Sequence, residues 1–156
     1  MSATREVPAR LPDTALPDAD WADAFEIELP DRRLSAMEAS RMTLGRVPGW
    51  ARRLLTLRNA LAKLVGLKTD AGRESGKTAI GMFPVVSETP ERVVLGFDDW
   101  HLDFRIVVEV TEAGNAGMRL RTTTLVRRKN LFGRLYIGLV TPFHRLIVPA
   151  TLRGAL

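Results

Sequence analysis

"LDFRIVVEVTEAGNAGMRLRTTTLV", residues 102–126, reads as two strand-like runs joined by a short connection with two glycines. A link this short returns the chain antiparallel to itself. Two runs of the same kind precede it, "TAIGMFPVV" (78–86) and "RVVLGF" (92–97), linked by "SETPE" and "DDWH". Four runs with short links predict an antiparallel meander. Upstream, "FEIEL" (25–29) alternates, with Phe25, Ile27 and Leu29 on one face and Glu26 and Glu28 on the other, so it reads as a half-buried strand.

Two helices are expected between that strand and the meander. In "LSAMEASRMTLG" (34–45), Ser35 and Glu38 have the spacing of a capping box and Gly45 can end the helix. In "WARRLLTLRNALAKLVGLK" (50–68), Trp50, Leu54, Leu57, Leu61 and Leu64 form one apolar stripe, read here as core, opposite basic residues with no acid. Downstream, Asn130 is a candidate N-cap. Phe132, Leu135, Tyr136, Leu139, Phe143, Leu146, Ile147 and Ala150 then keep a helical period, with Pro142 and Pro149 expected to kink or interrupt it. The order is strand, two helices, four antiparallel strands and a long C-terminal helix. That is an α+β chain whose sheet needs an amphipathic helix as cover. It is the order of helix-grip domains of the START-like and plant-allergen-like kind, an analogy of topology only.

The 156 residues suit one domain, taken as 21–156, behind a flexible leader, 1–20, that carries Pro8, Pro12 and Pro17. No cysteine is present, which removes disulfides, thiolate catalysis and Cys-based metal sites and fits a reducing cytoplasm. The start lacks the apolar core of a signal peptide, and no run reaches the roughly 18 apolar residues of a membrane span. A cytoplasmic protein without a transmembrane segment is expected. Residues 1–31 hold two arginines against eight acids; residues 32–156 hold 21 basic against 10 acidic residues. The acidic leader can fold back on the basic body, the body can bind anions, or the charge can serve solubility.

"AGRESGKTAIG" (71–81) imitates a phosphate-binding loop, with Ala71 in place of the first glycine. Such a loop needs a strand before it and a helix after it. Here the order reads as helix then strand, so no nucleotide is expected at residues 71–78. In "GFDDWHLDFR" (96–105), Asp99, His101, Asp103 and Arg105 alternate with apolar residues, which would put them on one sheet face. A histidine between carboxylates can serve as a general base; an exposed strand face with an internal salt bridge has the same pattern. His144 and Arg145 interrupt an apolar helix, where His144 either packs at the core boundary or faces a cavity. With two histidines and no HxxxH or HxH spacing, neither a metal nor another cofactor is expected. The basic clusters at 51–53 and 126–129 lack the interleaved aromatics that single-stranded nucleic acid needs, so nucleic acid is not expected. Helix 50–68 also has the makings of a membrane-surface helix, although its leucine face suits the sheet better.

"IGMFPVV" (80–86), "LGFDDWHLDFR" (95–105) and "NLFGRLYIGLVTPFHRLIV" (130–148) resemble a bacterial family, domain of unknown function 2867, from about residue 20 to the C-terminus. Members occur alone or fused behind NAD(P)-binding epimerase-like domains; with no G-x-G-x-x-G, this chain looks like the stand-alone form. The resemblance implies a helix-grip relationship. It also maps the family's recurrent positions onto Asp98, Asp99, His101, Asp103, Asn130, Gly133, Arg134, Tyr136, Pro142, His144 and Arg145. Many relatives have His where this chain has Lys129. No activity comes with the family.

Three functional expectations follow. The first is a module binding a small hydrophobic or amphipathic molecule between sheet and last helix, with Asp99, His101, Asp103, Arg105, Tyr136 and His144 as candidate contacts. The second is a cyclase, dehydratase or isomerase in the same cavity. There His101 would be the general acid/base, Asp103 its orienter, and Arg105 or Tyr136 would stabilise negative charge. The third is an interaction protein using its basic surface. A homodimer stays open.

Overall fold

The computed structural model describes residues 3–45, 49–64, 79–80, 83–114 and 117–155. Among them seven strands form one antiparallel sheet in the order β1-β2-β7-β6-β5-β4-β3. The strands are β1 (Arg5–Val7), β2 (Trp21–Pro30), β3 (Ala79–Ile80), β4 (Phe83–Glu88), β5 (Arg92–Asp98), β6 (Leu102–Ala113) and β7 (Gly117–Arg128). Helices α1 (Ala36–Leu44) and α2 (Gly49–Leu64) follow β2, and α3 (Leu131–Leu152) ends in a short 3-10 turn, Arg153–Ala155. The expected α+β order holds. The hairpin read from residues 102–126 is the spine of the sheet: β6 and β7 pair from Leu102↔Arg128 to Ala113↔Gly117. β2 then runs along the free edge of β7, from Trp21↔Val126 to Pro30↔Gly117. The run at 78–86 resolves into β3 and β4. Residues 71–78, where no nucleotide was expected, lie outside the described residues.

Alternation along the strands separates two faces. On the helix side, Phe25, Ile27, Leu29, Leu120, Ile106, Val108, Val93 and Leu95 pack with Ala36, Met37 and Ala39 of α1 and with Leu152 and Ala155. Nearer the start of α3, Leu102, Val126 and Ile137 form a second cluster with Trp21, Tyr136 and Val140. α1 starts as its sequence says. Ser35 Oγ accepts from Glu38 N (3.2 Å), and the Glu38 carboxylate accepts from Ser35 N (2.8 Å).

The opposite face is covered by the leader. β1 pairs with β2, and Leu16 packs on Val94, Val107 and Leu125. Asp13 meets Arg92 at 2.6 Å, Asp20 meets Arg128 at 3.2 Å, and Asp18 lies 3.9 Å from Arg127. The acidic leader thus lies back on the basic body. On the same face, buried Glu26 accepts from Arg121 Nε and Nη2 at 3.0 and 2.9 Å and lies 3.3 Å from Arg5. A buried carboxylate needs such partners.

The helices depart from the sequence reading at three points. α3 runs through Pro142 and Pro149 without interruption. Packing of Ile137 before the prolines and of Thr151 and Leu152 at the far end holds it against the sheet. Its sequence period also pointed partly at the wrong side. Leu135, Leu139, Phe143 and Leu146 are exposed, while Gly133, Ile137, Thr151 and Leu152 are buried. The helix is apolar nearly all round, so periodicity alone cannot choose its inner face. On α2, Trp50, Leu57 and Leu64 are exposed instead of in the core. The core clusters beneath the sheet's helix side are supplied by α1, α3 and the closing turn. The side chains of Leu54 and Leu61 lie outside the described residues.

Candidate functional site

Two polar constellations emerge, and they divide the residues singled out in the sequence. The first is the β5–β6 turn, Asp99–His101, against the start of α3. Regular alternation stops at Leu102, so Asp99 and His101 belong to the turn and not to a strand face. Asp103 and Arg105 continue on the outer face of β6. There Arg105 Nη1 donates to Asp98 Oδ1 at 2.9 Å. Burial pushes the Asp98 carboxyl up, but the Arg105 hydrogen bond and charge, with Lys129 behind them, outweigh it and hold it below the usual Asp range.

Lys129 binds this turn. Its Nζ lies 2.6 Å from Asp103 Oδ1 and donates to the Asp99 carbonyl at 2.9 Å, while its backbone N–H donates to the His101 carbonyl at 3.1 Å. Asn130 caps α3 by accepting from Gly133 N (3.0 Å) and donates its Nδ2 to the Trp100 carbonyl at 3.1 Å. Gly133 is required here, because a Cβ would run into the His101 carbonyl oxygen. The His101 ring, 1% exposed, sits against Tyr136 (centroids 5.1 Å, 89°), Phe132 (5.7 Å) and Trp100 (5.4 Å). Its Nδ1 lies 3.9 Å from Asp99 Oδ2, beyond hydrogen-bond reach. Asp103, the orienter expected from the sequence, is instead engaged by Lys129 and, at 3.8 Å, by Arg127. The arrangement pins the turn to α3 through packed rings and charge.

The second constellation lies further along α3. His144 Nε2 lies 3.0 and 3.1 Å from the two carboxylate oxygens of Asp23, and Trp21 meets the imidazole edge-on at 5.9 Å. Asp23 is buried on the helix-side face of β2, opposite Thr124; Thr122 and Thr124 share that face and are buried too. The site therefore falls between the two apolar clusters. His144 stays partly open to solvent, and among the described residues nothing bonds its Nδ1.

A family model described as protein of unknown function (DUF2867) matches residues 15–151. The chain belongs to that family. No curated protein and no solved structure matches it. The match takes in both constellations and the Leu16 wedge of the leader.

Of the residues named from sequence, this DUF2867 chain brings Asp99, His101 and Tyr136 together, joins Asp103 to them through Lys129, and sets Arg105 on Asp98. His144 stands apart with a partner that sequence reading missed. The signal was there: the alternation Phe25, Ile27, Leu29 extended back by two residues puts Asp23 on the inner face. A carboxylate in an apolar phase demands a partner. Among the described residues no three His, Asp or Glu side chains gather as a metal would need. An open hollow of about 420 Å³ at the start of α2, lined by Gly49, Arg52, Arg53 and Thr56, includes none of these residues.

Proposed function

We propose that this chain is a binding module for a small amphipathic molecule taken up between the sheet and α3, in the manner of a helix-grip domain. The observation that carries the reading is the Asp23–His144 pair. A buried carboxylate and a part-open imidazole, with Thr122 and Thr124 beside them, interrupt an otherwise apolar face of the sheet. Apolar walls with a few convergent polar groups are what small-molecule sites need. The polar end of the ligand would meet His144 Nδ1, and its apolar body would lie along the neighbouring clusters.

The test is native mass spectrometry of the purified protein, followed by titration with anilinonaphthalene sulfonate and with oleate. One-to-one saturable binding that weakens in His144→Ala and Asp23→Asn, with both variants still folded, supports the site. No copurified mass and no saturable binding of either probe overturns it.

One observation favours a catalytic version. Asp23 faces Nε2 of His144 and leaves Nδ1 open, which is how a carboxylate orients an imidazole for proton transfer. The general acid/base of an isomerase or dehydratase would then be His144 with Asp23, in place of His101 with Asp103. Deuterium exchange into a bound carbonyl compound, lost in His144→Ala, would separate catalysis from binding.

A further inference from the structure

α3 has two faces of different character. Ile137, His144, Val148 and Thr151 turn to the sheet. Leu131, Leu135, Leu139 and Leu146 are 72, 65, 71 and 64% exposed, and Phe143 is exposed with them. Steps of four and three residues put these five on one stripe, opposite the buried face. A continuous apolar stripe of this length marks an interaction surface.

We propose that this stripe docks in the plane of an anionic membrane surface. Charge decides between the occupants. α2 and α3 together carry Arg52, Arg53, Arg58, Lys63, Arg134 and Arg145 and not one acidic residue. A second copy meeting α3 across a two-fold axis would bring Arg134 and Arg145 toward the arginines of the partner helix, with no acid on either helix to answer them. Among the described residues the acid that approaches them is Glu6 of β1, 3.8 Å from Arg145, and both side chains are largely exposed. Anionic headgroups supply the missing countercharge, and each basic group near such a surface adds to binding. α2 repeats the pattern, with Trp50, Leu57 and Leu64 exposed and Arg52, Arg53 and Lys63 exposed beside them.

The geometry is that of a helix lying in the interface. By length and composition α3 suffices to cross a membrane. Its inner face, however, is committed to the sheet through Ile137, Thr151, Leu152 and the His144–Asp23 pair. Spanning would strip those contacts and bury Arg134, His144 and Arg145 in hydrocarbon. Lying flat keeps them and inserts only the leucines. The inference does not depend on the ligand-binding reading.

The experiment is cosedimentation of the full chain with vesicles of phosphatidylcholine alone and of phosphatidylcholine with phosphatidylglycerol. Wild type is expected to bind the second, with salt weakening but not abolishing binding. Leu135→Glu and Leu139→Glu, at exposed positions, should unfold at the wild-type temperature and each lose about tenfold or more in vesicle affinity. Arg134→Gln with Arg145→Gln should lower the salt sensitivity. Equal vesicle binding by the glutamate variants and wild type overturns the proposal, as does failure of wild type to bind. So does light scattering that shows a wild-type dimer converted to monomer by Leu135→Glu without vesicle binding, which would assign the stripe to a second copy.

Discussion

Two glycines on α3 should respond to the same substitution with opposite signs. Gly133 lies in the first turn, seated on the β5–β6 turn. A Cβ added there would fall 3.1 Å from the His101 carbonyl carbon, 3.8 Å from Arg128 Cα, and well inside contact with the His101 carbonyl oxygen. Ordinary carbon contacts sit at about 3.5–4.0 Å. The obstacle is backbone and cannot rotate away, so the helix must lift. Overpacking of this kind costs about 1–3 kcal/mol. Lifting also strains the Lys129 N–H to His101 and Asn130 Nδ2 to Trp100 bonds, each worth about 1 kcal/mol. Against this stands a helix-propensity gain of at most about 1 kcal/mol. Gly133→Ala should therefore lose about 2 kcal/mol, lowering Tm by roughly 4–8 °C. Gly138 is exposed, and a Cβ there meets nothing within 4 Å, so Gly138→Ala should gain about 0.5–1 kcal/mol. Both substitutions restrict the unfolded chain alike, so the difference between them isolates the clash. The assay is urea unfolding of wild type and both variants, checked by thermal scans. If Gly133→Ala matches or exceeds wild type, α3 is not seated on residues 99–101, and the account of His101 and Lys129 falls with it.

Removing His144 strands the buried Asp23 carboxylate, so His144→Ala should cost about 1–3 kcal/mol, and a double-mutant cycle with Asp23→Asn should show coupling of about 1 kcal/mol or more; additive effects would refute the pair. The Asp98 carboxyl is held below its usual range, so its contribution is present above the unfolded value of about 3.9 and lost as pH falls through the folded value. Stability of Asp98→Asn should trail wild type at pH 6 by a small margin, since the pair is half exposed, and the curves should converge toward pH 2; a gap that persists in acid would show that packing, not charge, is responsible. Leu16→Ala should cost about 2–4 kcal/mol and open residues 8–20 to limited proteolysis; unchanged cleavage would mean that the leader does not rely on Leu16 for its seat.

Much of the fold could be read from residue order. Alternation in 25–29 is visible in consecutive residues, the Ser35–Glu38 box and the Asn130 cap join groups three residues apart, and the runs of 102–126 pair through one short connection. Such signals survive in a sequence because the interaction is local. The candidate site was less legible. Asp99, His101, Asp103 and Arg105 stood out as a run, but the alternation that would have united them ended at the turn. The residue that completes His144, Asp23, lies 121 positions away.

By itself, then, the sequence determined most of the elements, the antiparallel order of the meander and the charge split between leader and body, but not β1 within the leader or the division of 78–86 into β3 and β4. Only the tertiary structure decided which side of α3 faces inward, that Leu16 and the leader's acids close the back of the sheet, and that the imidazole of His144 reaches the carboxylate of Asp23. The reason is physical. α3 is apolar on nearly every side, so its own pattern holds no preference. The choice falls to the one face that can satisfy Asp23 and fill the space between two sheet-borne clusters. What that choice leaves outside is a row of leucines on a helix that carries Arg134 and Arg145 and no acid of its own.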